Sequence, residues 1–323
     1  MMRPLSPIEP APAATTAPTR PRRTRAMPQA IAARRRRGVA MTVLTWIAAA
    51  VGILPLFAIL LHLAVGGASA FSPSFFTRAP APAGVGGGGM ANAIVGTLIL
   101  VGIGASLGVP IGVGAGLFAA ERASTRLART VRFVADVLSG LPSIVLGIFV
   151  WELLVRPAGH FSAFAGGAAL GLLIIPLVTR ATEEMVKLVP SELTEAALAL
   201  GFSRSRTSLL VVLRTAMPGI LTASLVAIAR AAGETAPLLF TAFGNAYWSL
   251  DLTRPMAALP LQIFAFAQSP YDDWRAQAWA GALVLLLLIT AMSLIARAVF
   301  RARTRLTARV GGRLQPDERS IPR

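Results

Sequence analysis

The sequence predicts an all-α polytopic membrane protein with six transmembrane helices. Three observations carry this. Of 323 residues, 55 % are hydrophobic and only 14 % charged, against about 25 % charged in an ordinary soluble domain. The mean hydropathy is +0.66. Six apolar runs each reach the roughly 20 residues that a helix needs to cross the hydrocarbon core. Only helices or closed barrels satisfy the backbone in lipid, and runs of this length without period-2 alternation are helices. The expected spans lie near 43–66, 91–119, 133–155, 166–188, 217–240 and 277–300. The second contains Pro110 and six glycines (102, 104, 108, 112, 114 and 116), the composition of a tilted or kinked span packed closely on its neighbours.

Charge sets the orientation. Of 31 Lys and Arg, 26 fall in the N-terminal tail, the 120–132 loop, the 180–214 segment and the C-terminal end from Arg297 onward. Four, Arg78, Arg156, Arg254 and Arg275, lie in the alternate segments, and Arg230 falls inside a span. The positive-inside rule then makes both termini cytoplasmic. Residues 1–42, with Arg34–Arg37 as a basic anchor, read as a disordered cytoplasmic tail, 43–300 as the six-span domain, and 301–323 as a second basic tail. A cleaved leader ending at Ala68–Ala70 is the rival for the first span, but the run from Val39 to Val65 is longer than a leader's apolar region. "APAPAGVGGGG" (79–89) reads as a flexible outer loop. The Trp residues at 151, 248, 274 and 279 suit an interfacial belt.

Several function classes are excluded. The chain has no cysteine, which removes disulfides, thiol catalysis and cysteine-bound metal. Its two histidines, His62 and His160, are far apart in sequence, so a zinc site is not expected. The net charge of +17 sits in tails and short loops, not in a basic face interleaved with aromatics, so no nucleic-acid partner is expected. There is no Walker A sequence and no soluble domain large enough to bind a nucleotide, so any ATP must be bound by another chain. No catalytic cluster occurs in or beside the spans, which argues against a membrane enzyme.

The segment "VPSELTEAALALGFSRSRTSLLVVLRTAMPG" (189–219) reads as a short helix, a turn and a second helix feeding span five. Ser191 is the expected N-cap, and Glu192 and Glu195 suit the first turn. Gly201 is expected just past the helix in the left-handed conformation, and Ser203 as the cap of the next helix. Leu193, Ala197 and Leu200 share a face. By itself this could be an amphipathic helix lying on the membrane.

The same residues resemble the EAA loop of ABC importer permeases. Glu195, Ala196, Ala197 and Gly201 match its core, with Val211 and Leu213 downstream. Arg214 departs from the expected proline, with Pro218 four residues later, which puts in doubt how the second helix enters the membrane. "NAIVGTLIL" (92–100), "LSGLPSIVLGIF" (138–149), "ARAAGETAPLLFTAFGNAYW" (229–248), "LPLQIFAFAQSP" (259–270) and "AWAGALVLLLLI" (278–289) narrow the resemblance to the A-type permease family (PstA) of phosphate-specific ABC importers. It covers about residues 40–300. It implies the type I importer permease fold, with the EAA loop as a cytoplasmic coupling helix between spans four and five. It further implies a bacterial inner-membrane subunit that moves inorganic phosphate inward and binds no cofactor itself. The implied partners are a homologous C-type permease, two copies of an ATPase carrying ATP and Mg, and an external phosphate-binding protein. An importer for molybdate, sulfate, phosphonate or an amino acid is the alternative.

Arg230 is the residue to explain. Thirteen residues from Met217, it would lie roughly 20 Å into a core of about 30 Å. Two readings stand: an ion pair with Glu234 that fixes helix packing, or an anion path in which the planar Arg230 fork meets phosphate. On the second, Glu234, one turn further along the same face, holds the guanidinium. Gly233 and Pro237 would let the helix bend. Arg180, near Glu183 and Glu184, is either a basic anchor of span four or a second path residue; the family pattern has Arg there, which favours the path.

Overall fold

The computed structural model describes residues 28–312. The chain divides into two units, Met1–Ala58 and Ile59–Arg323. α1 (Pro28–Gly67) is followed by a 3-10 turn (Ala68–Ala70) and α2 (Pro73–Thr77). α3 (Ala91–Glu121), α4 (Arg126–Gly140) and α5 (Ser143–Val150) come next, α5 running through a π-helical turn (Trp151–Val155) into α6 (Arg156–Ala158). α7 (Ala163–Lys187) and the short α8 (Ser191–Ala199) precede α9 (Arg204–Thr207), which continues through a second π-helical turn (Ser208–Val212) into α10 (Leu213–Ala232). α11 (Ala236–Thr241), α12 (Leu259–Ala267) and α13 (Asp272–Gly312) complete the order. No strand occurs among the described residues. Among the described residues five helices are long and apolar enough to cross a membrane, or six where the bent α4–α6 pair counts as one span.

The expected tail reaches too far. Residues 28–42 belong to α1, because Pro28 fits a first helical position and the Ala- and Arg-rich stretch after it favours helix. Residues 1–27 and 313–323 lie outside the described residues. From residue 43 onward α1 is apolar all round, the composition of a membrane span. The end of α1 lies against α13: His62 meets the Trp279 ring edge-on at 4.7 Å.

α3 and α7 form the tightest pair. Gly104, Gly108, Gly112 and Gly116 recur once per turn on α3, all buried and all facing α7. A Cβ on Gly108 would stand 2.7 Å from the Gly171 carbonyl, and one on Gly112 2.7 Å from Val178 Cβ. Gly102 and Gly114, off this stripe, have open space instead. The glycines thus serve close approach of two backbones. Despite Pro110, α3 remains one helix. Around this seam Leu100, Leu170, Ile174, Val178, Ala227 and Leu238 form the main core.

Span three was expected as one helix over 133–155. It is broken: α4 and the α5–α6 segment meet at 108° across Leu141–Pro142. Leu141 is extended (φ −74°, ψ 138°), the conformation forced on a residue before proline, and Gly140 precedes it. Span five, expected to continue to 240, ends at Ala232; Gly233–Thr235 separates it from α11.

Polar side chains fasten the outer segments. Thr97 Oγ1 accepts the Leu259 N–H at 2.8 Å and donates to Ala93 O, so a hydroxyl of α3 satisfies the first turn of α12. Asn92 Nδ2 donates to Asn245 O at 2.9 Å. The 79–89 loop, expected to be flexible, is tied instead: Gln277 Nε2 donates to Gly87 O at 2.8 Å and Gly89 N to Ala79 O at 3.1 Å.

Candidate anion path and coupling segment

Arg230 lies in the last turn of α10. There the helix tightens and stops: Gly233 N donates to Arg230 O at 3.2 Å and Glu234 N to Ala231 O at 3.1 Å. Such i to i−3 bonds commonly close a last turn. Glu234 therefore leaves the helix, and it does not lie one turn beyond Arg230 on a shared face. Among the described residues the two form no ion pair. Gly233 is the C-cap at φ −90°, in ordinary right-handed space with room for a Cβ, so the break does not depend on glycine's freedom. Pro237 sits in the first turn of α11, where its missing N–H costs nothing.

Arg230 and Glu234 nevertheless open on one cavity of about 210 Å³. Its wall is completed by Ser139, Pro142 and Ser143 from the break in span three and by Leu177 of α7. The two breaks come together because Gly147 of α5 abuts α11: a Cβ there would stand 2.6 Å from Pro237 Cα. A single water needs only about 10–15 Å³ of such space, so the cavity has room for a small hydrated anion. Sequence reasoning missed Ser139 and Ser143. The signal was present in Gly140 and Pro142, a breaker pair within an apolar run.

Arg180 does not line this cavity, but it lies on the same face of α7, three residues beyond Leu177 and one turn toward the coupling segment. It is held by carboxylates. Its guanidinium bonds both Asp136 oxygens, with Arg180 Nε to Asp136 Oδ1 at 2.8 Å, and reaches Glu183 Oε2 at 3.4 Å. Glu183 is only 1 % exposed and also receives Arg132 Nε at 2.6 Å and Lys187 Nζ at 2.5 Å. Arg132 further donates to the Ala119 and Ala123 carbonyls at the end of α3. Three cations and two carboxylates thus bind α3, α4 and α7 together. A buried carboxylate is tolerable because every approach to it carries a partner. The sequence reading placed Glu183 near Arg180 but missed Arg132, which is 51 positions away.

The coupling segment follows. α8 carries Glu195, Ala196 and Ala197, and only Ala197 of these is buried. Gly201 has φ +85°, the left-handed conformation that the sequence predicts for it. Ser203 Oγ accepts the Arg206 N–H at 3.4 Å, the predicted cap. Ser191 is not the cap: Pro190 holds that position and no side chain bonds there, because an extended Pro190 already sets the entry angle. The predicted apolar face is mostly outward: Leu193 is 43 % and Leu200 79 % exposed. Arg214, in place of the expected proline, is an exposed residue of a helix that continues unbroken past Pro218.

The model of the family described as "Binding-protein-dependent transport system inner membrane component" matches residues 112–305, well over half of the chain. The chain belongs to this permease family. Relatives are close over most of their length. The phosphate transport system permease protein PstA of Yersinia pestis is 44 % identical over 268 residues, 83 % of this chain and 91 % of that protein. The PstA of Xylella fastidiosa (strain Temecula1) is 50 % identical over 214 residues, 66 % of this chain and 75 % of that protein. Among solved structures, an inward-facing MetNI methionine ABC transporter aligns with a TM-score of 0.56 at 18 % identity, covering 66 % of this chain and 95 % of that one. At that identity the likeness concerns the fold. It is the importer permease fold, and the family accounts for a multi-pass membrane chain with a helix–turn–helix between its fourth and fifth spans.

Proposed function

We propose that this chain is the permease subunit of an ATP-driven importer that carries inorganic phosphate inward across the cytoplasmic membrane. The observation that carries the reading is Arg230, a cation inside a span that opens on a cavity without a carboxylate bonded to it. Charges at such depth normally face a bundle interior or a water-filled cavity and serve transport. The relatives named phosphate transport system permease support phosphate as the anion. Arginine's planar fork of five donors matches a phosphate face. Glu234, which lines the same cavity, weakens the hold so that the anion moves on. Ser139 and Ser143 also line it and offer hydroxyls. Arg180, one turn further along α7, is the next cation toward the cytoplasm; its bonds to Asp136 and Glu183 keep it from trapping the anion. Gly233 and Pro237 flank the break between span five and α11.

The chain itself catalyses no covalent step. ATP and Mg belong to two copies of a separate ATPase, which dock on Glu195, Ala196, Ala197 and Gly201 and push the spans between inward- and outward-facing states. A homologous C-type permease supplies the other half of the path, and an external binding protein delivers phosphate. Both termini are cytoplasmic on this reading, which the Lys and Arg distribution supports. Uptake of labelled phosphate by cells whose only importer contains this chain tests the reading. Unlabelled phosphate should compete, and molybdate, sulfate, phosphonate and amino acids should not; competition by one of these and not by phosphate overturns it.

A further inference from the structure

A second cavity, of about 500 Å³, lies between α8 and the ends of α3, α7 and α9. Five charged side chains line it: Lys187, whose ammonium is bonded to Glu183, and Glu121, Arg122, Glu195 and Arg204, none of which has an ion-pair partner among the described residues. Deeper in the wall is Thr207, only 2 % exposed, whose hydroxyl has no hydrogen-bond partner. A buried hydroxyl left unsatisfied is costly, and here it borders a space that a ligand can fill. The remaining wall is largely apolar, with Val186, Val189, Leu198 and Val212.

We infer that this cavity holds a phospholipid head group that carries both a phosphate and an ammonium, as phosphatidylethanolamine does. Charge complementarity selects the class. Two guanidiniums and one hydroxyl donor suit a phosphate, while two carboxylates suit an ammonium with N–H donors. A bare anion would leave both carboxylates unanswered. The walls select a lipid over a soluble zwitterion: three of them are the ends of spans, at the level where head groups lie, and the apolar part receives the glycerol and first methylenes. The lipid would then tie α8 to three spans, so the coupling segment moves with them. This inference does not depend on which substrate crosses the membrane.

The test uses the complete transporter, purified and exchanged into nanodiscs of defined lipid, with retained lipid counted by native mass spectrometry. Phosphatidylethanolamine should be retained about tenfold better than phosphatidylglycerol, which lacks the ammonium, or phosphatidylcholine, whose trimethylated nitrogen has no N–H. Arg122→Ala with Arg204→Ala should abolish the preference. Thr207→Val, a near-isosteric change that leaves no unpaired hydroxyl, should fold normally and still lower retention several-fold. Equal retention of all three lipids overturns the inference, as does retention unchanged in both variants. So does displacement of the lipid by millimolar inorganic phosphate, which would make the cavity an anion site.

Discussion

The α3–α7 seam and the Arg230 cavity share turns of α7, with Ile174 and Val178 on the seam and Leu173 and Leu177 on the cavity, yet they are built on opposite principles. At the seam, glycines once per turn let two unbroken helices touch backbone to backbone. At the cavity, two spans break, at Leu141–Pro142 and at Gly233–Thr235, and polar groups line the gap between them. Packing without gaps gives rigidity, whereas a broken helix inside a membrane persists where it lines a cavity. One helix, α7, thus carries a close-packed face toward α3 and a cavity-lining face toward the broken spans.

The largest expected effect is at the seam. Gly108→Val or Gly112→Val forces side-chain atoms into Gly171, Ile174 or Val178 and should cost more than about 3 kcal/mol, above the usual range for overpacking because backbone atoms are in the way. Membrane levels of the subunit, read by immunoblot, should fall to a small fraction of wild type. Gly102→Ala and Gly114→Ala, which meet nothing within 4 Å, should leave levels unchanged. Equal loss in all four would dissolve the contrast between stripe and surface.

Next is Glu183. Glu183→Gln removes the charge that three cations share and should lower the thermal stability of the purified complex by roughly 3 kcal/mol. Glu184→Gln, on an exposed neighbour, should be silent. A smaller effect is expected at Gly201. There a Cβ meets no atom within 4 Å, but φ is +85°, so Gly201→Val costs about 1–2 kcal/mol of local strain. ATPase co-purification should drop while the seam stays intact; full retention of the ATPase would remove the coupling role from this turn.

Much of this was legible in the sequence. Hydropathy located the spans because lipid demands long apolar helices. Gly201 and Ser203 were legible because caps are local chemistry. Two of the errors, at spans three and five, share a cause: they concern where a helix stops inside an apolar run. Arg230 and Glu234 at i and i+4 read as one face only if the helix continues, and it ends at Ala232. Likewise Leu141–Pro142 carried a breaker signal that apolar composition outweighed. The Arg132–Glu183 bond and the Gln277 tie to the outer loop join residues far apart in sequence, and no local pattern announces them.

The central claim is that Arg230 faces the anion's route and does not merely pair with Glu234. Phosphate uptake at matched membrane levels tests it in Arg230→Gln and in Arg230→Gln with Glu234→Gln. Because the two side chains are not paired, both variants should assemble and both should lose phosphate uptake at least a hundredfold, while Arg230→Lys, which keeps the charge but not the fork, retains part of it. Uptake by the double variant near that of wild type would contradict the account and leave Arg230 with a packing role only.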